Sequence, residues 1–411
     1  MTAAARQPGG AMPVAGKAQA YTLVALGTMP ALAIAALVPV LPALFQQFKD
    51  VPNRELLVPM ILTVPSLCVA LFSSLLGAAA DRWGRRRLLL LALLCFGVFG
   101  LAPMLFADLH AIIASRFVVG LAEGAILTTS NALMGDYFDG EARKRWLGLQ
   151  MSVGPIVSSG FILAGGALGS INWRGPFLLY VLGLVVLIAV WFTLYEPVAS
   201  ASRTAGGADA NPGSSASTRF PWSATFLVGG VTLLVSVIYF VQAVQHGRIF
   251  GDLGVTTPAR IGTIVTIASM GTVVGGYTYS RMRLKSIGMM LAIVFGCYGL
   301  SYLGIALSPG YISGALFDSV GQFAGGFGLA TLIAWALSKY DFEHRGRGMG
   351  VWAACFFLGQ FLSPPVLTLI GHGRLSFLAS VGTLGVVSLA CALVAVLLAG
   401  RSAAHATAAR A

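Results

Sequence analysis

Three charged side chains lie deep inside long apolar runs of this 411-residue sequence: Arg116, Glu123 and Asp318. A charge taken into a bilayer is expensive, so such residues face a partner or a wet cavity and are candidates for function. Arg116, Gly120 and Glu123 follow at i, i+4 and i+7, which puts them on one helix face with the two charges ~10 Å apart along its axis. A carboxyl group removed from water favours its neutral form, whereas a nearby arginine favours the ionised one. A group that alternates between these surroundings can load and release a proton. Two readings of Glu123 stay open: a proton carrier, or half of a structural pair with Arg116.

Asp318 enters through an internal repeat. Glu141, Arg143, Arg145 and Gly148 recur 202 positions later as Glu343, Arg345, Arg347 and Gly350, and the same offset carries Arg116 onto Asp318. Opposite charges at equivalent depths could pair across a closed outer mouth. Asp318 could equally hold a solute or stay hydrated. Further polar candidates are Asn131, Tyr239, Gln242, Gln245, Gln322 and Gln360, with Phe240, Phe323, Trp352 and Phe356 as aromatic walls. Each has packing as its alternative. An amide and aromatic lining suits amphipathic organic molecules, whereas phosphate esters call for clustered arginine or lysine.

Other chemistries find no support. The five cysteines form no CxxC pair and have no histidine at metal-ligand spacing, so they read as packing residues and no metal site is expected. There is no G-x-x-x-x-G-K-[ST], H-E-x-x-H or G-x-S-x-G, so neither ATP hydrolysis nor a familiar enzyme centre is expected, and no cofactor is implied. The net charge of +12 comes from short basic clusters between apolar runs with no aromatic-basic stripe, which argues against nucleic acid.

The elements that must hold these residues are membrane helices. Hydrophobic residues make up 57% of the chain and charged ones 10%, against roughly 25% charged in a soluble domain. Mean hydropathy is +0.84. Runs long enough to cross a bilayer, about 20 residues, lie near 20–45, 56–80, 88–107, 111–135, 146–169 and 174–195, and again near 222–245, 259–280, 286–307, 311–338, 348–371 and 375–399. The expected organisation is a tail over 1–19, a six-helix bundle over 20–196, an Ala, Ser and Gly-rich linker over 197–221, a second bundle over 222–400 and a tail over 401–411. Alternate loops carry nineteen and six of the 26 Lys and Arg residues, with Arg116 inside a span. Basic residues are retained in the cytoplasm, so both termini and the linker are expected there.

Between spans two and three stands Gly77-Ala-Ala-Ala-Asp81-Arg82-Trp-Gly84-Arg85-Arg86-Arg87. This closely resembles the G-x-x-x-D-R-x-G-R-R motif of the major facilitator superfamily. In such a turn glycine permits close packing, an acid can face a neighbouring helix N-terminus, and arginines anchor to lipid phosphates. A worn copy, Gly276 to Lys285, has Ser280 in place of the acid and Arg283 in place of the second glycine. Pro39-Val-Leu-Pro42 is similar to the P-x-x-P closing the first helix of drug-efflux members, and Arg116-Phe-Val-Val-Gly120 to the R-x-x-x-G of proton-linked ones. Gly154-Pro155 matches part of the antiporter motif, although Ser158 and Ser159 stand where paired glycines are usual.

The resemblance implies an all-α membrane protein of twelve helices in two pseudo-symmetric bundles, with spans one, four, seven and ten around a solute path. It implies a secondary transporter working by alternating access, a bacterial inner-membrane location and function as a monomer. Proton-driven efflux of a small organic solute is the leading expectation. Proton-linked uptake of an organic acid or sugar is the alternative, and facilitated diffusion also remains open because span one lacks a buried acid.

Overall fold

In lipid every backbone N–H and C=O must be satisfied within its own segment, so apolar runs of this length fold as helices. The computed structural model describes residues 15–197, 220–282, 286–341, 344–371 and 374–408, with side chains of the last helix as far as residue 400. Most of the expected tails and linker, the repeat residue Glu343, and Arg283 and Lys285 of the worn motif lie outside the described residues.

Twelve helices among the described residues are long and apolar enough to span a bilayer. Span one is Lys17–Gln47, two Arg54–Trp83, three Arg85–Met104, four Leu109–Tyr137, five Gly140–Ile171 and six Gly175–Thr193. Span seven is Trp222–Asp252, eight Pro258–Arg281, nine Ile287–Ala306, ten Tyr311–Ser338, eleven Arg345–Gly371 and twelve Phe377–Gly400. Spans one and five, two and four, three and four, and three and six pack together. The same pairings recur six spans later, as seven with eleven, eight with ten, nine with ten, and nine with twelve. Span two also meets span eleven, and span five meets span eight.

The prolines of span one shape its end. A helix over Lys17–Ala35 gives way to a 3-10 turn at Val38–Val40 and a short helix at Leu41–Gln47, with Pro39 and Pro42 each in the first turn of the piece they open. A missing N–H is tolerated there. Span five, by contrast, runs unbroken through Pro155, and nothing lies within 4 Å of a Cβ built on Gly154. Its close approaches come later, where a Cβ on Gly166 would stand 2.7 Å from the Pro258 carbonyl oxygen of span eight. Gly247 of span seven presses on the Val38 carbonyl in the same manner, and Pro42 lies 3.1 Å from a Cβ on Gly251. Small residues let helix backbones approach this closely.

These approaches gather at the face carrying the turns after spans one, five and seven. Arg248 clamps that face. It pairs with Glu55 of span two, and its guanidinium lies 4.6 Å from the ring centre of Phe45 and 4.1 Å from that of Phe377. Above the clamp is a cavity of about 740 Å³ lined by Pro39, Pro42, Arg54, Glu55 and Asp252 among others. A half-exposed ion pair with two cation–π contacts contributes about 1–2 kcal/mol, a factor of roughly 5–30 in a two-state balance. Arg248→Ala should therefore shift the face toward open by that factor, read as the distance between spin labels on spans one and seven. An unchanged distance distribution would show that the glycine contacts alone hold the closure.

Candidate functional site

Span four begins where Asp108 caps it, its carboxylate accepting the Ala111 N–H at 2.9 Å. That hydrogen bond holds the Asp108 carboxyl below its ordinary value. Gly120 and Gly124 then bring span four against span two, where Cβ atoms would stand 2.5 Å from the Cα of Pro65 and 3.7 Å from that of Val69. The register of span four is set by this contact, and with it the depths of Arg116 and Glu123.

Arg116 is fully buried and is not partnered by a carboxylate. Its Nη2 donates to the carbonyls of Phe99 at 2.7 Å and Gly100 at 3.0 Å, and Nε lies 3.3 Å from Ser115 Oγ. The guanidinium sits 5.2 Å from the ring centre of Phe177 and 5.0 Å from that of Tyr180. Carbonyl dipoles at the end of span three and aromatic faces at the start of span six thus replace its water. Glu123 is 3% exposed, and among the described residues it has no hydrogen-bond or ion-pair partner. The structural Arg116–Glu123 pair is therefore absent from this conformation.

Asp318 likewise stays within its own half, so the expected pairing with Arg116 across a closed mouth does not occur, although Arg248 clamps the face carrying the turns after spans one, five and seven. Gln242 Nε2 donates to Asp318 Oδ1 at 2.5 Å and to its backbone carbonyl at 2.7 Å. His246 Nε2 lies 3.1 Å from Oδ1. Gln322 joins them, its amide nitrogen 2.9 Å from His246 Nε2 and its oxygen accepting from Thr272 of span eight at 2.9 Å. His246 was not among the sequence candidates, yet it stands one turn after Gln242, and that spacing was a usable signal.

The other polar candidates divide. Tyr239, Phe240, Trp352 and Phe356 form one aromatic cluster between spans seven and eleven, with Trp352 stacked on Phe356 at 5.4 Å and Phe240 edge-on to it at 5.1 Å. Phe323 instead stacks on Phe327. Gln245 turns to the face that Arg248 clamps, where it lines a cavity of about 380 Å³ beside Glu55 and Arg248. Gln360 is buried on span eleven, and Asn131 is exposed on span four.

The turn between spans two and three corrects one expectation. Gly84 has φ +97°, a conformation that L side chains rarely adopt, so glycine is needed there. The acid at the helix N-terminus is Glu196 rather than Asp81. Its two oxygens accept the N–H groups of Arg85 at 2.6 Å and Arg86 at 2.9 Å, closing span three against the end of span six. Asp81 is exposed and pairs with Arg85 at 3.1 Å, while Arg85 also grips Asp136 of span four. Arg86 donates to the Trp191 carbonyl at 2.8 Å, Arg82 is exposed in the last turn of span two, and Gly77 meets nothing within 4 Å. Glu196→Ala should lower stability by about 1–2 kcal/mol, read as a lower thermal midpoint, because two helix-end donors and a favourable dipole contact are lost. Glu196→Gln, which keeps acceptor capacity, should lose less.

Known proteins share this architecture and sequence pattern. A family model described as Major Facilitator Superfamily matches residues 23–322. The chain is 27% identical over 366 residues to the class C tetracycline resistance protein of Escherichia coli, covering 85% of this chain and 89% of that one. It is 26% identical over 325 residues to the 3-(3-hydroxy-phenyl)propionate transporter of E. coli strain K12, covering 76% and 75%. A bacterial homologue of the human lysosomal transporter Spinster, solved inward-facing and occupied, superposes with a TM-score of 0.70 at 16% identity, over 95% of this chain and 98% of that one. With a family model matched over most of its length and the twelve-helix fold of these transporters, the chain belongs to the major facilitator superfamily and is a multi-pass membrane transporter, not an enzyme.

Proposed function

We propose that this transporter exports a small amphipathic organic compound in exchange for protons, by alternating access between its two sets of six spans. The observation that carries this reading is Glu123, a buried carboxyl on span four whose neighbouring cation is engaged by the carbonyls of Phe99 and Gly100. A carboxyl without a fixed counter-ion can gain and lose a proton as water reaches or leaves it. The Tyr239, Phe240, Trp352 and Phe356 cluster offers the solute flat apolar surface.

The basic loops support an orientation with both termini and the linker in the cytoplasm of a bacterial inner membrane. The clamped face then looks outward, and the conformation is inward-facing. The tetracycline resistance relative, matched along most of both chains, favours export. Uptake of an organic acid is the second reading, favoured by the relative named for 3-(3-hydroxy-phenyl)propionate. A single chain is expected to be the working unit.

Direction is tested in cells with and without the gene, by accumulation of tetracycline and by growth on 3-(3-hydroxyphenyl)propionate. Lower tetracycline accumulation supports export, and gene-dependent growth on the acid supports uptake. Glu123→Gln should lower pH-driven export about 5–150-fold, the usual range of a coupling free energy, while leaving gradient-free solute exchange in place. Undiminished pH-driven transport by that variant would remove Glu123 from the mechanism.

A further inference from the structure

Span seven, span eight and span ten meet at a buried group that the export reading does not use. His246 is 3% exposed and Asp318 fully buried. His246 Nε2 stands between two partners, Asp318 Oδ1 at 3.1 Å and the Gln322 amide nitrogen at 2.9 Å, while Nδ1 lies 3.3 Å from the Ala243 carbonyl. Asp318 Oδ2 is buried with no hydrogen-bond partner. From these contacts we infer that His246 and Asp318, with Gln242 and Gln322, form a second proton-exchange site in the half opposite Glu123, and that Gln322 relays its state to span eight.

The argument is one of hydrogen counting. Nε2 carries at most one hydrogen, yet its two neighbours make opposite demands, since an ionised Asp318 needs a donor and an amide nitrogen needs an acceptor. In the arrangement present, Gln322 gives its nitrogen to the ring and its carbonyl to the Thr272 hydroxyl at 2.9 Å. This orientation fits a ring that holds its hydrogen on Nδ1, against the Ala243 carbonyl, with Asp318 as a neutral acid donating to Nε2. A neutral acid also leaves no charge stranded at the unpartnered Oδ2. Loss of that proton reverses the contacts of His246 and Gln322, while Gln242 goes on donating to Asp318 Oδ1. The carboxylate then needs a donor, the ring hydrogen moves from Nδ1 to Nε2, and Gln322 turns over to present its carbonyl to the ring and its nitrogen to Thr272. The Asp318 O–H bond is lost as one proton leaves, the Nδ1–H bond of the ring is exchanged for an Nε2–H bond, and no oxidation state changes.

Surrounding groups keep the site self-contained. Span nine contributes Tyr302, whose hydroxyl donates to the Ile238 carbonyl and accepts the Gln242 N–H at 3.2 Å. Arg248, two residues beyond His246, is turned to Glu55 and Phe377. Span eight brings Thr272, which does not titrate, and span one brings the backbone of Val38 beside Gly247. Because span eight packs on span five of the other half, a turn of Gln322 acts on an element at the interface between halves. The inference deepens the proton-coupled reading above and stands or falls separately from Glu123.

The test needs no solute. Full-length protein in proteoliposomes is stepped in pH, and the displaced charge is recorded on a solid-supported membrane. Glu123→Gln should keep a clear part of the wild-type displacement, and adding His246→Gln or Asp318→Asn should reduce it to the level of protein-free liposomes. If Glu123→Gln alone abolishes the signal, or if the double variants displace as much charge as Glu123→Gln, the second site is refuted. If Asp318→Asn and Glu123→Gln/Asp318→Asn displace equal, non-zero charge, Glu123 is the residue that fails. Should the Asp318 variant not fold, nitrogen-15 histidine spectra of the unsubstituted chain decide, with the resonance assigned by its loss in His246→Gln. Its Nε2 should switch between acceptor and donor character with pH, and a resonance constant across that range would overturn the proposal.

Discussion

The cost of burying an arginine organises this molecule. Arg116 has no carboxylate partner, and it is held instead by two backbone carbonyls from the end of span three and two aromatic faces from the start of span six. Those carbonyls are free to accept because a helix end leaves its last C=O groups without intrahelical donors. The arrangement fixes spans three, four and six relative to one another. It also leaves Glu123, two turns along the same helix, buried without a counter-ion. Structure and mechanism thus meet in one choice of partner: had Arg116 paired with Glu123, the carboxyl would be locked in its ionised form.

The second half solves the same problem differently. Asp318, at the repeat position of Arg116, is held through its Oδ1 by Gln242 and His246 within its own bundle. Neither buried charge therefore ties the halves together. The ties are at the face carrying the turns after spans one, five and seven, where Gly166 and Gly247 admit backbone contact and Arg248 reaches Glu55. A clamp built from a half-exposed ion pair and two aromatic faces is weak enough to break during a transport cycle. Charges sunk in the core are too costly to expose for that purpose.

Much of this was legible in the sequence. Twelve apolar runs specify twelve helices because a lipid environment leaves the backbone no other local solution, and the 202-residue repeat relates spans whose pairings recur in the fold. Arg116, Glu123 and Asp318 announced themselves as charges among apolar neighbours. What stayed hidden were partners remote in sequence. Glu196 caps span three from 110 residues away, and nothing local marks it over Asp81, which has the motif position but is exposed. Arg248 read as one of a few outer-loop cations, and only the fold brings Phe45 and Phe377 around it. His246 escaped notice because a histidine counts as neutral in a tally of charges, although its spacing from Gln242 placed it on the right face.

The central claim is that Glu123 exchanges a proton because Arg116 is engaged elsewhere. Infrared difference spectroscopy between acidic and alkaline pH, on the full chain in lipid nanodiscs, tests it most directly. The account predicts a carboxyl C=O signal that titrates, vanishes in Glu123→Gln and persists in Arg116→Lys. A spectrum in which Glu123→Gln leaves every titrating carboxyl signal unchanged would contradict it.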